Sequence, residues 1–222
     1  MTNYAPLLEN IETFVKEKTE NETTGHDWFH ADRVRRNAMY IARKDFSNRN
    51  IDLFLLQSVA LMHDLGDWKV NTTEKSEKEI LADACKTLDI PEPYSSQIVE
   101  AITRLSFSAN IEKKNELPLE GQIVQDADRL DALGAIGIAR AFAFGGQRNR
   151  QIYNPNIKPQ RLKSEKDYKN TQNPSINHFY EKLFLIKDLM NTKTGKKLAI
   201  KREKFMKKYL DEFYREWETE NS

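Results

Sequence analysis

Residues 60–69 read ALMHDLGDWK. Ile51, Leu53, Phe54, Leu55, Leu56, Val59, Leu61 and Met62 lead into the pair His63–Asp64, and Gly66 closes the stretch. An apolar run of this length that stops at glycine reads as a helix over about 51–65. An ionised carboxylate at the end of such a run is costly unless it is paired or bound to a metal. The pair His63–Asp64 therefore asks for a partner elsewhere in the chain.

Working outward, almost every periodic segment reads as helix. Leu7, Leu8, Ile11, Phe14 and Val15 share one face of a first helix, and a second over about 27–46 turns Phe29, Val34, Ala38, Ile41 and Ala42 inward. Thr73 or Ser76 caps a helix that reaches Leu88 before Pro91, and another spans about 93–105. A further helix starts near Leu119 and continues through DADRLDALGAIGIARAFAFGG. Two long amphipathic helices are expected last. One, about 174–191, is lined by Leu183, Phe184, Ile186, Leu189 and Met190. The other, about 193–218, is lined by Ile200, Phe205, Met206, Tyr209, Leu210, Phe213 and Trp217. No segment reads as a strand, so the expected fold class is all-α. The expected organisation is a single domain over 1–222, with a core at about 20–135 and the helices of 174–218 packed on it. The irregular stretch 145–173 is polar, holds Pro155 and Pro159, and carries Arg148, Arg150, Lys158, Arg161, Lys163, Lys166 and Lys169. A connection this long in a compact domain is usually a lid, a binding loop or disordered.

The 222 residues suffice for one sizeable core. A net charge of +1 with 31% charged residues gives no global signature of nucleic-acid or membrane binding. In the basic stretch the charges are diluted by Asn, Gln, Glu165 and Asp167, so no nucleic-acid partner is expected there either. The one cysteine, Cys85, keeps step with Ile80, Leu81, Ala84 and Leu88 and reads as a small core residue. No basic start followed by an apolar run opens the sequence, and no stretch approaches the roughly 18–20 apolar residues of a membrane helix. A cytoplasmic protein is expected, as a monomer or homodimer.

The four histidines are His26, His30, His63 and His178, and three of them stand beside aspartates. GHDWFHADRV holds His26, Asp27, His30 and Asp32; ALMHDLGD holds His63, Asp64 and Asp67; QDADRLDALGA holds Asp126, Asp128 and Asp131. Asp is a poor helix former, so three in six positions of a helical segment need a reason. A shared divalent ion supplies one, since imidazole and carboxylate together suit Mn, Fe, Zn, Ni or Co. His26 and His30 at i, i+4, and Asp128 and Asp131 at i, i+3, share helix faces. Adjacent His63 and Asp64 point about 100° apart on a helix, so a long and a short side chain would have to converge. Taken singly, each group also has a plain structural reading: a bonded core histidine, an N-cap at Asp27, intrahelical Asp–Arg pairs.

Taken in order, His30, His63–Asp64 and Asp128 resemble the H…HD…D signature of the HD superfamily of metal-dependent phosphohydrolases. GHDWFHADRV, MHDLGDWK, DADRLDALGAIGIARAF and INHFYEKLF…DLMNT…FMKKYLDEFYREW together are similar to the bacterial YpgQ/YedJ group of that superfamily, over about residues 3–218. The resemblance implies a helical HD-domain bundle with His30, His63, Asp64 and Asp128 as metal ligands. Asp126 is the alternative to Asp128, and periodicity does not decide between them. It further implies a working carboxylate at Asp67 and a phosphate contact at Lys69. His26 and Asp27, one turn before His30, are candidates for second-layer or substrate contacts, and Asp67 or His26 for proton acceptor. Arg129, Arg148 and Arg150 are candidates for compensating phosphate charge. The implied reaction is hydrolysis of (deoxy)nucleoside triphosphates to monophosphate and pyrophosphate with Mn²⁺, and Mg²⁺, Ni²⁺, Co²⁺, Fe²⁺ or Zn²⁺ as alternatives. Alternatives within the superfamily are 5′-nucleotidase and cyclic-nucleotide or (p)ppGpp phosphodiesterase activity; outside catalysis, a metal- and nucleotide-binding sensor.

Overall fold

The apolar run becomes α3 (Leu53–Met62), with Phe54, Leu55, Leu56, Val59, Ala60, Leu61 and Met62 all buried. A helix apolar nearly all round belongs at the centre of a bundle. α2 (Trp28–Asp45) and α6 (Leu119–Asp131) pack on it and on each other. Each large apolar side chain so buried contributes about 1.5–3 kcal/mol, which fixes the middle of α3 and leaves its end to carry polar chemistry. The computed structural model describes residues 3–23, 25–67, 74–105, 116–160 and 171–218.

Around this centre, α1 (Ala5–Thr19) lies on α3, and α4 (Glu77–Thr87) pairs with α5 (Tyr94–Thr103), which also reaches α3. Ser76 starts α4 with a capping box: its hydroxyl accepts from the Glu79 amide and the Glu79 carboxylate accepts from the Ser76 amide. Thr73, the other expected cap, lies outside the described residues. α7 (Gly134–Gln147) leans on the last helix, which follows α8 (Asn177–Glu181) and a 3-10 helix (Leu183–Leu189). That helix, α9 (Lys193–Trp217), packs on α6, α2 and the 3-10 turn. Among the described residues no strand is present, and Cys85 is buried in the core as expected.

Five expectations need correcting. The continuous helix expected from Leu119 breaks at Ala132–Leu133, because Gly134 takes φ +75 and α7 starts afresh. The long helix expected over 174–191 is instead α8 and the 3-10 helix, separated at Lys182, whose φ of −138 leaves the helical region. Phe29, expected inward, is 66% exposed, since it stands beside the buried His30 on the helix and so faces outward. On α9, Ala199, Met206 and Leu210 form the buried stripe, while Ile200, Phe205 and Trp217 stay about half exposed at its margins. The expected loop is also shorter: α7 runs to Gln147, and Tyr153 then docks edge-on against Phe213, Tyr214 and Trp217 of α9. Arg161, Lys163, Lys166 and Lys169 lie outside the described residues.

Asp126 ties α6 to the start of α9. Its buried carboxylate accepts from the amides of Asn191 and Thr192 and from the Thr192 hydroxyl at 2.7 Å. Gly195 allows this approach, because a Cβ there would sit 2.5 Å from Asp126 Oδ2. Removing the carboxylate leaves several buried donors unmatched. Asp126→Ala should cost about 3 kcal/mol and lower Tm by roughly 6–12 °C. Asp128→Ala, on a side chain 42% exposed, should leave Tm within about 2 °C. Thermal unfolding followed by circular dichroism checks both.

Candidate metal centre

The centre forms where α2, α3 and α6 meet. His30 comes from the first turn of α2, whose N-cap is Asp27: its Oδ1 accepts from the His30 amide at 2.9 Å. His63 and Asp64 come from the turn that ends α3, closed by the Leu65 amide on Met62 O and the Asp67 amide on Asp64 O. Gly66 is required in this turn, because a Cβ there would lie 2.9 Å from Glu77 Cα at the head of α4. Asp128 comes from the last turns of α6.

The structure brings four expected side chains together. His30 Nε2 lies 3.1 Å from His63 Nε2, 3.2 Å from Asp64 Oδ2 and 3.5 Å from Asp128 Oδ1. His63 Nε2 lies 3.5 Å from Asp64 Oδ1 and 3.8 Å from Asp128 Oδ1. His30, His63 and Asp64 can all offer ligand atoms within 4.8 Å of one another. Donors about 2.0–2.2 Å from a common ion stand about 2.8–3.6 Å apart along the edges of its shell, from octahedral to tetrahedral.

The other ring nitrogens fix which atoms face inward. His63 Nδ1 is 2.8 Å from the carbonyl of Ala60, which only accepts, so Nδ1 carries the proton. His30 Nδ1 donates in the same way to Asp131 Oδ2 at 2.7 Å. Two neutral imidazoles so held point lone pairs at each other and at two carboxylates, and Asp64 Oδ2 is buried with no hydrogen-bond partner. A cluster made only of acceptors is stable when a cation sits among them, and two histidines with two carboxylates suit a first-row divalent ion.

The carboxylates and imidazoles also set one another's charge. Burial works against the charge on Asp64, yet the fields of His63 and His26 and its approach to His30 hold its pKa well below the ordinary range. Burial and Arg140 push the His30 pKa down, but its bond to Asp131 and the nearness of Asp64 outweigh them and raise it, so a proton on Nε2 and a cation compete for the same position. Asp131 is buried too, and stays ionised through His30 and Arg33 with Arg140 nearby. Arg33 forks onto it, Nε to Oδ1 at 2.8 Å and Nη2 to Oδ2 at 3.0 Å, and Arg140 Nη1 donates to Oδ2 at 3.1 Å.

Other expected residues lie at varying distance from this cluster. His26 is buried beside it, its ring edge-on to His30 at 5.8 Å and to Phe144 at 6.5 Å. Asp27 uses a carboxylate oxygen as the helix cap, so the structure gives it a structural task rather than a place in the cluster. Asp67 is half-buried in the turn after Asp64. Arg148 and Arg150 lie over Phe144 at 5.4 and 5.5 Å, and Arg150 also donates to Thr171 O at 2.6 Å. Arg129, expected at substrate, is buried and donates to Leu189 O, because the residue after Asp128 turns about 100° away into the packing of α6. Asp126, the alternative ligand, is committed to Asn191 and Thr192. Lys69 and Trp68 lie outside the described residues. Sequence reading placed Asp131 on the face of Asp128 but gave it no role, and it passed over Arg33 and Arg140. The signal was faint: Arg33 stands three residues after His30, on the same helix face.

The HD-domain family pattern matches residues 28–133. YpgQ of Bacillus subtilis (strain 168) is 36% identical over 203 residues, 91% of this chain and 89% of that protein. The crystal structure of YpgQ in complex with ADP superposes with a TM-score of 0.72 at 34% identity, covering 95% of each chain. A crystal structure of a protein from Lactobacillus plantarum gives a TM-score of 0.85 at 35% identity over 99% of this chain and 100% of that one. An HD-superfamily hydrolase from Bacillus thuringiensis gives 0.70 at 37% identity over 97% and 99%.

A carboxylate that orients a ligating imidazole typically changes metal affinity about 10- to 100-fold when removed. Asp131→Asn should therefore weaken Mn²⁺ binding by that factor, read by isothermal titration. His63→Ala should abolish it while leaving the helical circular-dichroism spectrum in place.

Proposed function

From the premise that the chain belongs to the HD-domain family, within its YpgQ group, we propose that it is a metal-dependent nucleotide phosphohydrolase that cleaves (deoxy)nucleoside triphosphates to monophosphate and pyrophosphate. The observation that carries the reading is the acceptor-only cluster of His30, His63, Asp64 and Asp128. The ADP bound to the crystallised YpgQ supports a nucleotide as ligand.

In this reading the four side chains hold the ion, which supplies an activated water and a Lewis acid for a phosphoryl oxygen. Mn²⁺ is the proposed ion, in keeping with the mixed nitrogen and oxygen donors. Ala60 O and Asp131 hold the two imidazoles in the tautomer that presents Nε2. His26 or Asp67 takes the proton from the attacking water, a role worth about 10² to 10⁴ in rate. The buried ring of His26 beside His30 supports the first choice, and the position of Asp67 after Asp64 in the same turn supports the second. Arg148 and Arg150 on the Phe144 ring, with Lys69, compensate the charge of the departing pyrophosphate. The water adds to the α-phosphorus, the α–β bridging bond breaks, and its electron pair leaves on pyrophosphate.

Product chromatography tests the reading. Protein reloaded with Mn²⁺ and given a panel of ribo- and deoxynucleoside triphosphates, monophosphates and cyclic nucleotides should release monophosphate and pyrophosphate from triphosphates. Asp64→Ala should abolish that turnover, because the ion loses a ligand. Inorganic phosphate or a linearised cyclic nucleotide as product would move the reaction to another of the family's classes. No turnover of any of them would overturn the enzymatic reading in favour of a sensor.

A further inference from the structure

One of the two guanidiniums on Asp131 is only partly used. The carboxylate is already met by His30 and by the two-pronged Arg33. Arg140 adds a second guanidinium through one longer contact, Nη1 to Oδ2 at 3.1 Å. Its Nε–H is buried with no acceptor, and among the described residues Nη1 is its one nitrogen with a hydrogen-bond acceptor. Arg33 lies in the fields of Asp27 and Asp32 as well as Asp131, so the unused donors are those of Arg140. An anion that arrives with the cation would accept from them.

The placement of Arg140 is specific. Gly25 takes φ +88, and a Cβ there would lie 2.7 Å from Arg140 Cγ, so the turn before α2 gives up a side chain to let the arginine stem pass. Arg140 and Phe144 then share one face of α7 at i, i+4, and Arg148 caps the helix one turn further on. At about 1.5 Å per residue this face leads some 12 Å away from Asp131. It passes His26, whose ring meets Phe144, and ends at Arg148 and Arg150 over that same ring.

We propose that Arg140 binds the phosphoryl group nearest the His30–His63–Asp64–Asp128 cluster, and that Arg148 and Arg150 hold the distal phosphates of the same ligand, laid along this face of α7. The inference rests on the phosphohydrolase reading for its ligand class and adds to it the polyphosphate direction and a contact, Arg140, with the reacting phosphoryl group. Planar guanidinium forks suit phosphate oxygens, and Arg140 still has donors to offer.

The test is binding rather than turnover. Mn²⁺-loaded protein is titrated calorimetrically with inorganic phosphate and with imidodiphosphate, which resists hydrolysis, each supplied as its Mn²⁺ complex. Arg140→Gln should weaken both about 10- to 100-fold. The Arg148→Gln/Arg150→Gln double variant should weaken imidodiphosphate about tenfold or more and leave phosphate within about twofold. Mn²⁺ affinity of Arg140→Gln should hold or rise, because a neighbouring positive charge has gone. Wild-type phosphate affinity in Arg140→Gln would overturn the proposal. So would a loss of Mn²⁺ affinity in step with phosphate, which would make Arg140 a support for Asp131 only. Should Arg140→Gln not fold, Arg140→Lys is read instead: charge without the fork should still weaken phosphate about tenfold, and unchanged binding overturns the proposal. If triphosphates yield no pyrophosphate, the proposed reaction fails, while these titrations still decide Arg140.

Discussion

Two imidazole nitrogens 3.1 Å apart, each with its proton on the far side of the ring, are the constraint on which the structure turns. Left to themselves, two lone pairs and two carboxylates would separate. They stay together because each ring is anchored from behind by a different helix: His63 by Ala60 O of its own α3, His30 by Asp131 of α6. The Arg33 fork then ties Asp131 back to α2. The centre is therefore a property of how three helices pack, and the apolar middle of α3 supplies the energy that holds acceptor atoms in mutual repulsion.

Asp131 also divides the surroundings electrostatically. On its His30 side it makes the ring a stronger donor to a cation. On its other side it collects Arg33 and Arg140. In the proposed arrangement a cation site and an anion site share one buried carboxylate. Neither guanidinium could stand so close to a cation-binding cluster without the carboxylate between them, since like charges at this range in a poorly hydrated interior repel strongly.

Much of this was legible in the sequence, because the features concerned are local. The apolar run of α3, the Ser76 cap and the His and Asp groups each declare themselves within a few residues. The order His30, His63–Asp64, Asp128 carried the rest by resemblance. The misreadings share a cause: they needed information from far along the chain. The break between α6 and α7 lies in Ala132–Leu133, apolar residues that suit a helix. It is set by Gly134, at φ +75, where a Cβ would lie 3.2 Å from Arg202 Cγ of α9. Asp126 and Asp128 look alike in sequence, and the choice between them follows from Asn191 and Thr192, more than sixty positions away. Arg129 was plausible beside Asp128 until the helical turn sent it to Leu189 O. The role of Asp131 depends on His30 and Arg33, about a hundred residues earlier.

The adjacency of His63 and Asp64 shows how such distant contacts shape local chemistry. On a continuing helix the two side chains would diverge by about 100°. In this chain α3 stops at Met62, and the turn that follows tightens to bonds three residues apart, from Leu65 to Met62 and from Asp67 to Asp64. That turn is held by Gly66 against the backbone of Glu77, where α4 arrives too close for any side chain. The position of α4, capped in turn by Ser76 and Glu79, thereby presses the end of α3 into the shape that lets neighbouring residues face one point. A glycine that binds nothing and a helix that contributes no ligand are as much part of the centre as the imidazoles. Their contribution is geometric, and it reaches the chemistry only through the backbone.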